Sequence, residues 1–224
     1  QEGPRVAAVV EAARRHLPVI VVDDGSTDET AARAEAAGAT VIRQRPNAGK
    51  GAALRAGFAR ALEQGAGAVV TLDGDGQHDP DEIPAFLGTF ERSGAQLVIG
   101  RRDFGAMPFV RRASNTLGRM AISVAVGRDI PDNQSGYRLV GSRLLPELLD
   151  SREAGFEFEV EMIARAIALG LPIAWVPIRT IYAGESSHIR PWTHFTNFVR
   201  VARDARRIVR STADSGSDAR TRRS

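Results

Sequence analysis

Ala68-Val69-Val70-Thr71-Leu72-Asp73-Gly74-Asp75-Gly76-Gln77-His78 is the stretch that decides the fold. A short β-branched run stops at two carboxylates separated by one glycine. That is strand length, and the acidic end marks where the chain leaves a buried sheet. Val19-Ile20-Val21-Val22 repeats the pattern and ends in Asp23-Asp24-Gly25-Ser26-Thr27-Asp28.

Working outward, strand-like and helix-like segments alternate. Residues 27–37 are alanine-rich and helical, and Gly38 stops them. Residues 40–42 form a short strand. Residues 51–64 predict a helix with Leu54, Phe58 and Leu62 on one face. Residues 80–92 predict another, with Pro80 in its first turn, and 96–100 a fourth strand. Strands alternating with helices of this length predict an α/β fold with a mostly parallel sheet covered by helices on both faces.

The second half is less regular. Residues 104–112 read as a loop. Residues 114–126 read as an amphipathic helix carrying Leu117, Met120, Ile122 and Val124. Strands are expected at 134–140 and 173–182, a polar loop at 184–191, and helices at 156–169 and 192–209. The stripe Phe156, Val160, Ile163 and Ile167 reads as core. One domain over residues 1–210 is expected, with a nucleotide half to about 103 and an acceptor half from 104. Residues 211–224 read as a disordered basic tail. A helix-like segment, 4–16, precedes every strand. A doubly wound sheet normally begins with a strand that becomes central, so the first strand is expected to be missing from this chain.

Composition narrows the classes. Of 224 residues, 43% are hydrophobic and 25% charged, ordinary for a globular domain. No apolar run approaches the roughly 18 residues of a membrane span. The absence of cysteine excludes disulfides and cysteine-based zinc sites. The first residues do not read as a signal peptide, so a cytoplasmic location is expected. The net charge of +3 is uneven: from residue 200 onward there are eight arginines against three aspartates. Such an end suits anionic lipid head groups or a solvated tail, and no nucleic-acid partner is expected. Lys50 is the only lysine.

In open parallel sheets ligands bind beyond the carboxyl ends of strands, where both acidic clusters fall. Alternate carboxylates such as Asp73 and Asp75 can converge on one cation. Oxygen ligands suit Mg²⁺ or Mn²⁺ shared with substrate phosphates, and Gln77 and His78 follow within reach. Gly74 lets a ligand approach the backbone. The plain alternative is an Asx turn capping the helix at Pro80. At the other cluster Ser26, Thr27 or Asp28 can cap the next helix while Asp24 faces the cleft. Lys50, in Asn47-Ala48-Gly49-Lys50-Gly51, opens a helix without Walker A spacing, and it orders a nucleotide pocket or caps the helix. His16 and His194 read as ordinary surface or packing residues.

Val21-Val22-Asp23-Asp24-Gly25-Ser26-Thr27-Asp28, Asn47 to Gly51 and Leu72 to His78 together resemble the family 2 glycosyltransferases. The likeness continues through Gly100-Arg101-Arg102, Asn133-Gln134-Ser135-Gly136-Tyr137-Arg138-Leu139, Val176-Pro177-Ile178 and Ser186-Ser187-His188-Ile189-Arg190-Pro191. It is closest to the branch that glycosylates dolichyl or polyprenyl phosphate. The resemblance implies a GT-A fold and inverting transfer of a hexose from a UDP- or GDP-sugar, with Mg²⁺ or Mn²⁺. It implies that Glu2, Val22, Asp24, Asp73 and Arg102 bind the sugar nucleotide; Lys50, Gly74 and His188 are added candidates, and Arg179 and Arg190 stand in where the family's arginine and lysine have no direct match. Asp73, Asp75 and Gln77 would hold the metal. Asp75, Asp132 and Arg102 would be catalytic, with Asp132 the candidate base for a hydroxyl acceptor; a phosphate acceptor needs no base. Arg111, Arg112 and Ser135 would meet the acceptor. A basic loop beside an apolar helix suits a polyprenyl phosphate at a bilayer, and peripheral contact with the inner face of the cell membrane is expected. A non-catalytic sugar-nucleotide-binding module and a transferase acting on a hydroxyl are the alternatives. A sugar nucleotidyltransferase lacks its N-terminal glycine-rich loop here.

Overall fold

The structure, a computed structural model, describes residues 3–103, 109–179 and 200–210. It opens with α1 (Gly3–Ala13), followed by β1 (Ile20–Asp24), α2 (Thr30–Ala36), β2 (Thr40–Gln44), α3 (Lys50–Glu63) and β3 (Ala68–Thr71). A 3₁₀ turn (Pro80–Glu82) leads into α4 (Ile83–Ser93) and β4 (Leu97–Arg102). Then come α5 (Phe109–Val126), β5 (Arg138–Gly141), α6 (Leu145–Leu149), α7 (Glu157–Ala168) and β6 (Ile173–Ile178). Residues 200–210 are helical.

The strands form two hydrogen-bonded sheets. β1 and β2 pair in parallel, and the larger sheet has the order β3-β5-β4-β6. β4 and β6 are parallel, whereas β5 is antiparallel to both β3 and β4. Three of its four strands therefore share one direction, and the fold is α/β with mostly parallel strands. Among the described residues no strand bridges β1 and β3.

Strand alternation divides the core. Leu97 and Ile99 of β4 pack with Phe58 of α3 and with Phe158, Met162 and Ile163 of α7. Val98 faces the other way, into a cluster with Ile83 and Phe86 of α4 and Tyr137 and Leu139. Helices thus cover both faces, which explains why these strands are apolar throughout. A smaller cluster of Val6, Val10, Ala34 and Ala37 ties α1 and α2 to the β1–β2 pair.

Several elements depart from expectation. α5 starts at Phe109, inside the expected loop, and α6 was not expected. β5 is confined to Arg138–Gly141, because Asp132 to Gly136 make side-chain and turn contacts instead of a ladder. Phe156 is 71% exposed rather than core. It caps α7 from outside the first turn, and Phe158 takes the buried position. The expected tail (211–224), the loop 184–191, His194 and the end of the last strand lie outside the described residues.

Candidate functional site

The chain leaves β3 at Thr71, whose hydroxyl donates to the Gly136 carbonyl at 2.7 Å. This ties the start of the Asp73 turn to the segment before β5. Asp73 Oδ1 lies 2.8 Å from Lys50 Nζ, at the first residue of α3. The same ammonium lies 3.0 Å from Glu159 Oε1 of α7. Burial pulls the Lys50 pKa down, but the attraction of Glu159 and Asp73 outweighs it and holds the pKa above the ordinary lysine value. Lys50 is therefore a cation shared by two carboxylates, one buried and one partly exposed.

Glycines make this approach possible. A Cβ at Gly136 would fall 2.6 Å from Asp73 Oδ2 and 3.0 Å from Lys50 Nζ, so any side chain there would displace the pair. Gly49, at φ +92°, turns the chain into α3 in a region L side chains rarely adopt. Beside it the Gly51 amide donates to the Ala154 carbonyl at 2.7 Å, which docks the 151–156 segment on the start of α3.

Asp75 Oδ1 accepts from the Gln77 amide at 2.9 Å, and Asp79 caps the 3₁₀ turn by accepting from the Asp81 amide. The Asx-turn reading and the ligand reading thus describe the same segment. His78 is buried beside Tyr137, with ring centroids 5.2 Å apart, and its Nδ1 has no hydrogen-bond partner. Burial lowers its pKa and favours the neutral imidazole, against the pull of Asp73 and Asp75.

The described residues contain no group of three or more His, Cys, Asp or Glu side chains arranged to hold a metal unaided. The donor set fits a cation completed from outside: Asp73 and Asp75 offer carboxylate oxygens, and Mg²⁺ is typically held by one or two carboxylates plus substrate phosphates. Asp73 Oδ1 meets Lys50, so a cation there would compete with that ammonium.

At the end of β4, Arg102 makes a two-pronged pair with Asp132: Nε to Oδ2 at 2.7 Å and Nη2 to Oδ1 at 2.9 Å. The Arg102 amide and the Gln134 amide also donate to Asp132. Asp132 is completely buried and committed through both oxygens, the arrangement of a residue that orients an arginine. Beneath it, Arg138 of β5 is fully buried. Its guanidinium donates to the carbonyls of Asn133, Ser135 and Glu159, and burial lowers its pKa. Its surroundings include Glu159, Asp132, Arg102 and Asp73, so charges of alternating sign run from Asp73 to Arg102.

Other expected residues are placed differently. Asp24 accepts from the amides of Ala48 (2.7 Å) and Gly49 (2.8 Å), and its own carbonyl accepts from Asn47 Nδ2. Both its oxygens fix the turn before α3. Asp28 accepts from the Thr30 amide and hydroxyl where α2 begins. Val22 lies under α3, 3.5 Å from where a Gly57 Cβ would sit. Gly74 lies beside Val6 of α1. Ser135 is buried, with an unpartnered hydroxyl, so it lies beneath the surface. Arg179 is exposed, and its amide donates to Glu82. Arg112 is exposed on α5. His16 lies on the surface, 3.1 Å from Asp81. Glu2, His188, Arg190 and the Arg111 side chain lie outside the described residues.

Glu159, Arg138 and Gly136 are the site residues sequence reasoning did not single out. Signals existed: an arginine inside the apolar run Tyr137-Arg138-Leu139-Val140, and a glutamate flanked by Phe158 and Val160.

Comparison with known proteins decides the family. The profile of Glycosyl transferase family 2 matches residues 1–149. The chain belongs to this family. It is 34% identical over 172 residues to the undecaprenyl-phosphate mannosyltransferase of Micrococcus luteus, covering 71% of this chain and 70% of that one. It is 31% identical over 194 residues to the polyprenol monophosphomannose synthase of Mycolicibacterium smegmatis, covering 78% and 71%. Among solved structures it resembles glucosyl-3-phosphoglycerate synthase from Mycobacterium tuberculosis in complex with Mn²⁺, UDP and glucosyl-3-phosphoglycerate. That match has a TM-score of 0.67 at 23% identity, over 96% of this chain and 75% of that one. The fold of this family 2 chain is GT-A.

Proposed function

We propose that the protein is an inverting hexosyltransferase that moves a sugar from a UDP- or GDP-sugar to a polyprenyl phosphate. The observation that carries this reading is the pairing of Asp132 with Arg102. It leaves the described site with an oriented arginine and no uncommitted Asp132 carboxylate to serve as a base. A hydroxyl acceptor needs its proton removed, whereas a phosphate monoester is already an anionic nucleophile. The two polyprenyl-phosphate enzymes among the relatives support the same acceptor class.

In this mechanism a phosphate oxygen of the acceptor attacks the anomeric carbon as the bond to the nucleoside diphosphate breaks on the opposite face. The configuration inverts, and the electron pair leaves on the diphosphate. Asp73, Asp75 and Gln77 would hold Mg²⁺ or Mn²⁺, which when bound supplies positive charge at the departing diphosphate. Lys50 and Arg102 would add cations to the site, and Asp132 keeps Arg102 oriented without reorganisation during reaction. Asp24 serves the nucleotide pocket indirectly, by fixing the turn that delivers Lys50.

The acceptor side of the reading is peripheral membrane contact. Among the described residues no helix is long and apolar enough to cross a membrane. Leu117, Met120 and Val124, one helical face of α5, are nevertheless exposed, Val124 by 83%. Arg112 lies on the same helix. An apolar stripe with basic residues is the composition of a helix lying in a lipid interface.

The test is transfer of labelled hexose from UDP- and GDP-sugars to a phosphorylated prenol, with Mg²⁺ or Mn²⁺ and with the unphosphorylated prenol as control. Transfer to the phosphate alone is expected. A folded protein that transfers only to the free hydroxyl overturns the reading.

A further inference from the structure

Glu159 is the carboxylate of this site that the reaction does not explain. It sits in the first turn of α7, almost completely buried, and interiors rarely hold a carboxylate without a specific partner. Its Oε1 lies 3.0 Å from Lys50 Nζ, and its backbone carbonyl accepts from Arg138. Lys50 has two further neighbours that bear on its position: Asp73, on its more exposed side, and the Phe156 ring, whose centroid is 5.2 Å from Nζ.

We infer that Glu159 is a positioning residue that anchors Lys50, so that the ammonium can exchange Asp73 for the diphosphate of the sugar nucleotide. The inference rests on the donor reading above for its second half only. Asp73 and Glu159 differ in the way that such an exchange needs. The Asp73 side chain is one-third exposed and the Glu159 side chain 4% exposed. A divalent cation arriving with the diphosphate can therefore reach Asp73 and cannot reach Glu159. Once a cation takes Asp73, a lysine held only by Asp73 would be expelled by like charge. Held also by Glu159, it stays beside the turn and meets the phosphates instead. The exchange moves no covalent bond and leaves the charge at Glu159 unaltered.

The experiment uses the fact that Lys50 is the only lysine in the chain. Protein labelled with ¹³Cε-lysine gives one lysine signal, and a fixed side chain splits its two Hε resonances where a mobile one averages them. Without ligand, D73N is expected to keep the wild-type splitting and the double variant D73N/E159Q to lose it. Glutamine at 159 keeps the shape and an acceptor oxygen, and circular dichroism checks that both variants are folded. Averaging in folded D73N overturns the anchor, because Asp73 alone would then be holding the lysine.

The second arm is calorimetric binding of UDP and GDP with Mg²⁺. E159Q is expected to weaken binding about tenfold in the wild-type background and to add nothing to the loss in K50M, as coupled neighbours do. An equal further loss in K50M overturns the inference, since Glu159 would then act on the fold rather than through Lys50. A wild-type protein that binds neither nucleotide overturns the exchange together with the donor reading. The ligand-free spectra still decide the anchor.

Discussion

Asp24 ends β1 and Asp73 lies two residues beyond the end of β3, each followed by a glycine-containing turn, yet the tertiary structure gives them different partners. Asp24 accepts from two backbone amides, those of Ala48 and Gly49. Asp73 meets the tip of a long side chain, Lys50. Amides in a turn cannot move without unmaking the turn, whereas an ammonium on four methylenes can trade partners. One carboxylate is thus a structural clamp, and the other is, in the proposed mechanism, an exchangeable ligand beside the lysine that the clamped turn delivers.

The sharpest way to break this contrast is Asp73→Asn. It should lower transfer about 100-fold or more, on the scale of losing an electrostatic contact to the departing group. The change in urea midpoint should be small, because Asp73 is partly exposed. If transfer survives, Asp73 is as structural as Asp24.

Asp132→Asn comes next, and it probes the other end of the charge series. Arg102 would lose a charged partner at a buried site, at a cost of about 3–5 kcal/mol for a broken buried pair. Urea unfolding measures that loss. Residual transfer to a phosphorylated prenol by the folded fraction is expected, because no proton passes through Asp132 in the proposed reaction. Complete loss at full folding would restore Asp132 as a base.

Asp24→Asn should cost about 1.5–3 kcal/mol in urea unfolding, since it weakens hydrogen bonds to a charged acceptor. Its effect on transfer should follow from a misplaced Lys50, appearing mainly as a raised KM for the donor. On α5, replacing Leu117, Met120 and Val124 together by serine should leave stability nearly unchanged, because these side chains are already exposed. Co-sedimentation with anionic vesicles should fall several-fold as buried apolar area is lost at the interface.

The smallest expected effect is at Glu82, where burial raises the pKa. The folded state then binds a proton more readily than the unfolded chain. Stability contributed by this group therefore rises as pH falls through the folded pKa toward the ordinary value of 4.5, and it declines above. Glu82→Gln, which keeps an acceptor for the Arg179 amide, should remove that slope in urea titrations compared across this range.

Much of the fold was legible because its signals are local. The runs at 19–22 and 68–72 became β1 and β3, and the Leu54, Phe58, Leu62 face became the buried side of α3. The reading slipped where side chains replaced ladders, as before β5, and where a helix began one residue later than expected, which leaves Phe156 outside α7 and exposed. The acidic strand ends were legible as a candidate site, but the different partners of Asp24 and Asp73 were not. Arg138 and Glu159 looked like an ordinary arginine in a strand and an ordinary glutamate on a helix.

By itself, then, the sequence determined the alternation of strands and helices and the family, and it marked the acidic strand ends as a candidate site, because period and strand-end chemistry are carried by neighbouring residues. Only the tertiary structure decided which charges meet. Lys50 finds Asp73 and Glu159, and Arg102 finds Asp132, across long stretches of chain. Such pairings depend on packing in the interior, where the low dielectric makes the choice of partner the dominant electrostatic term.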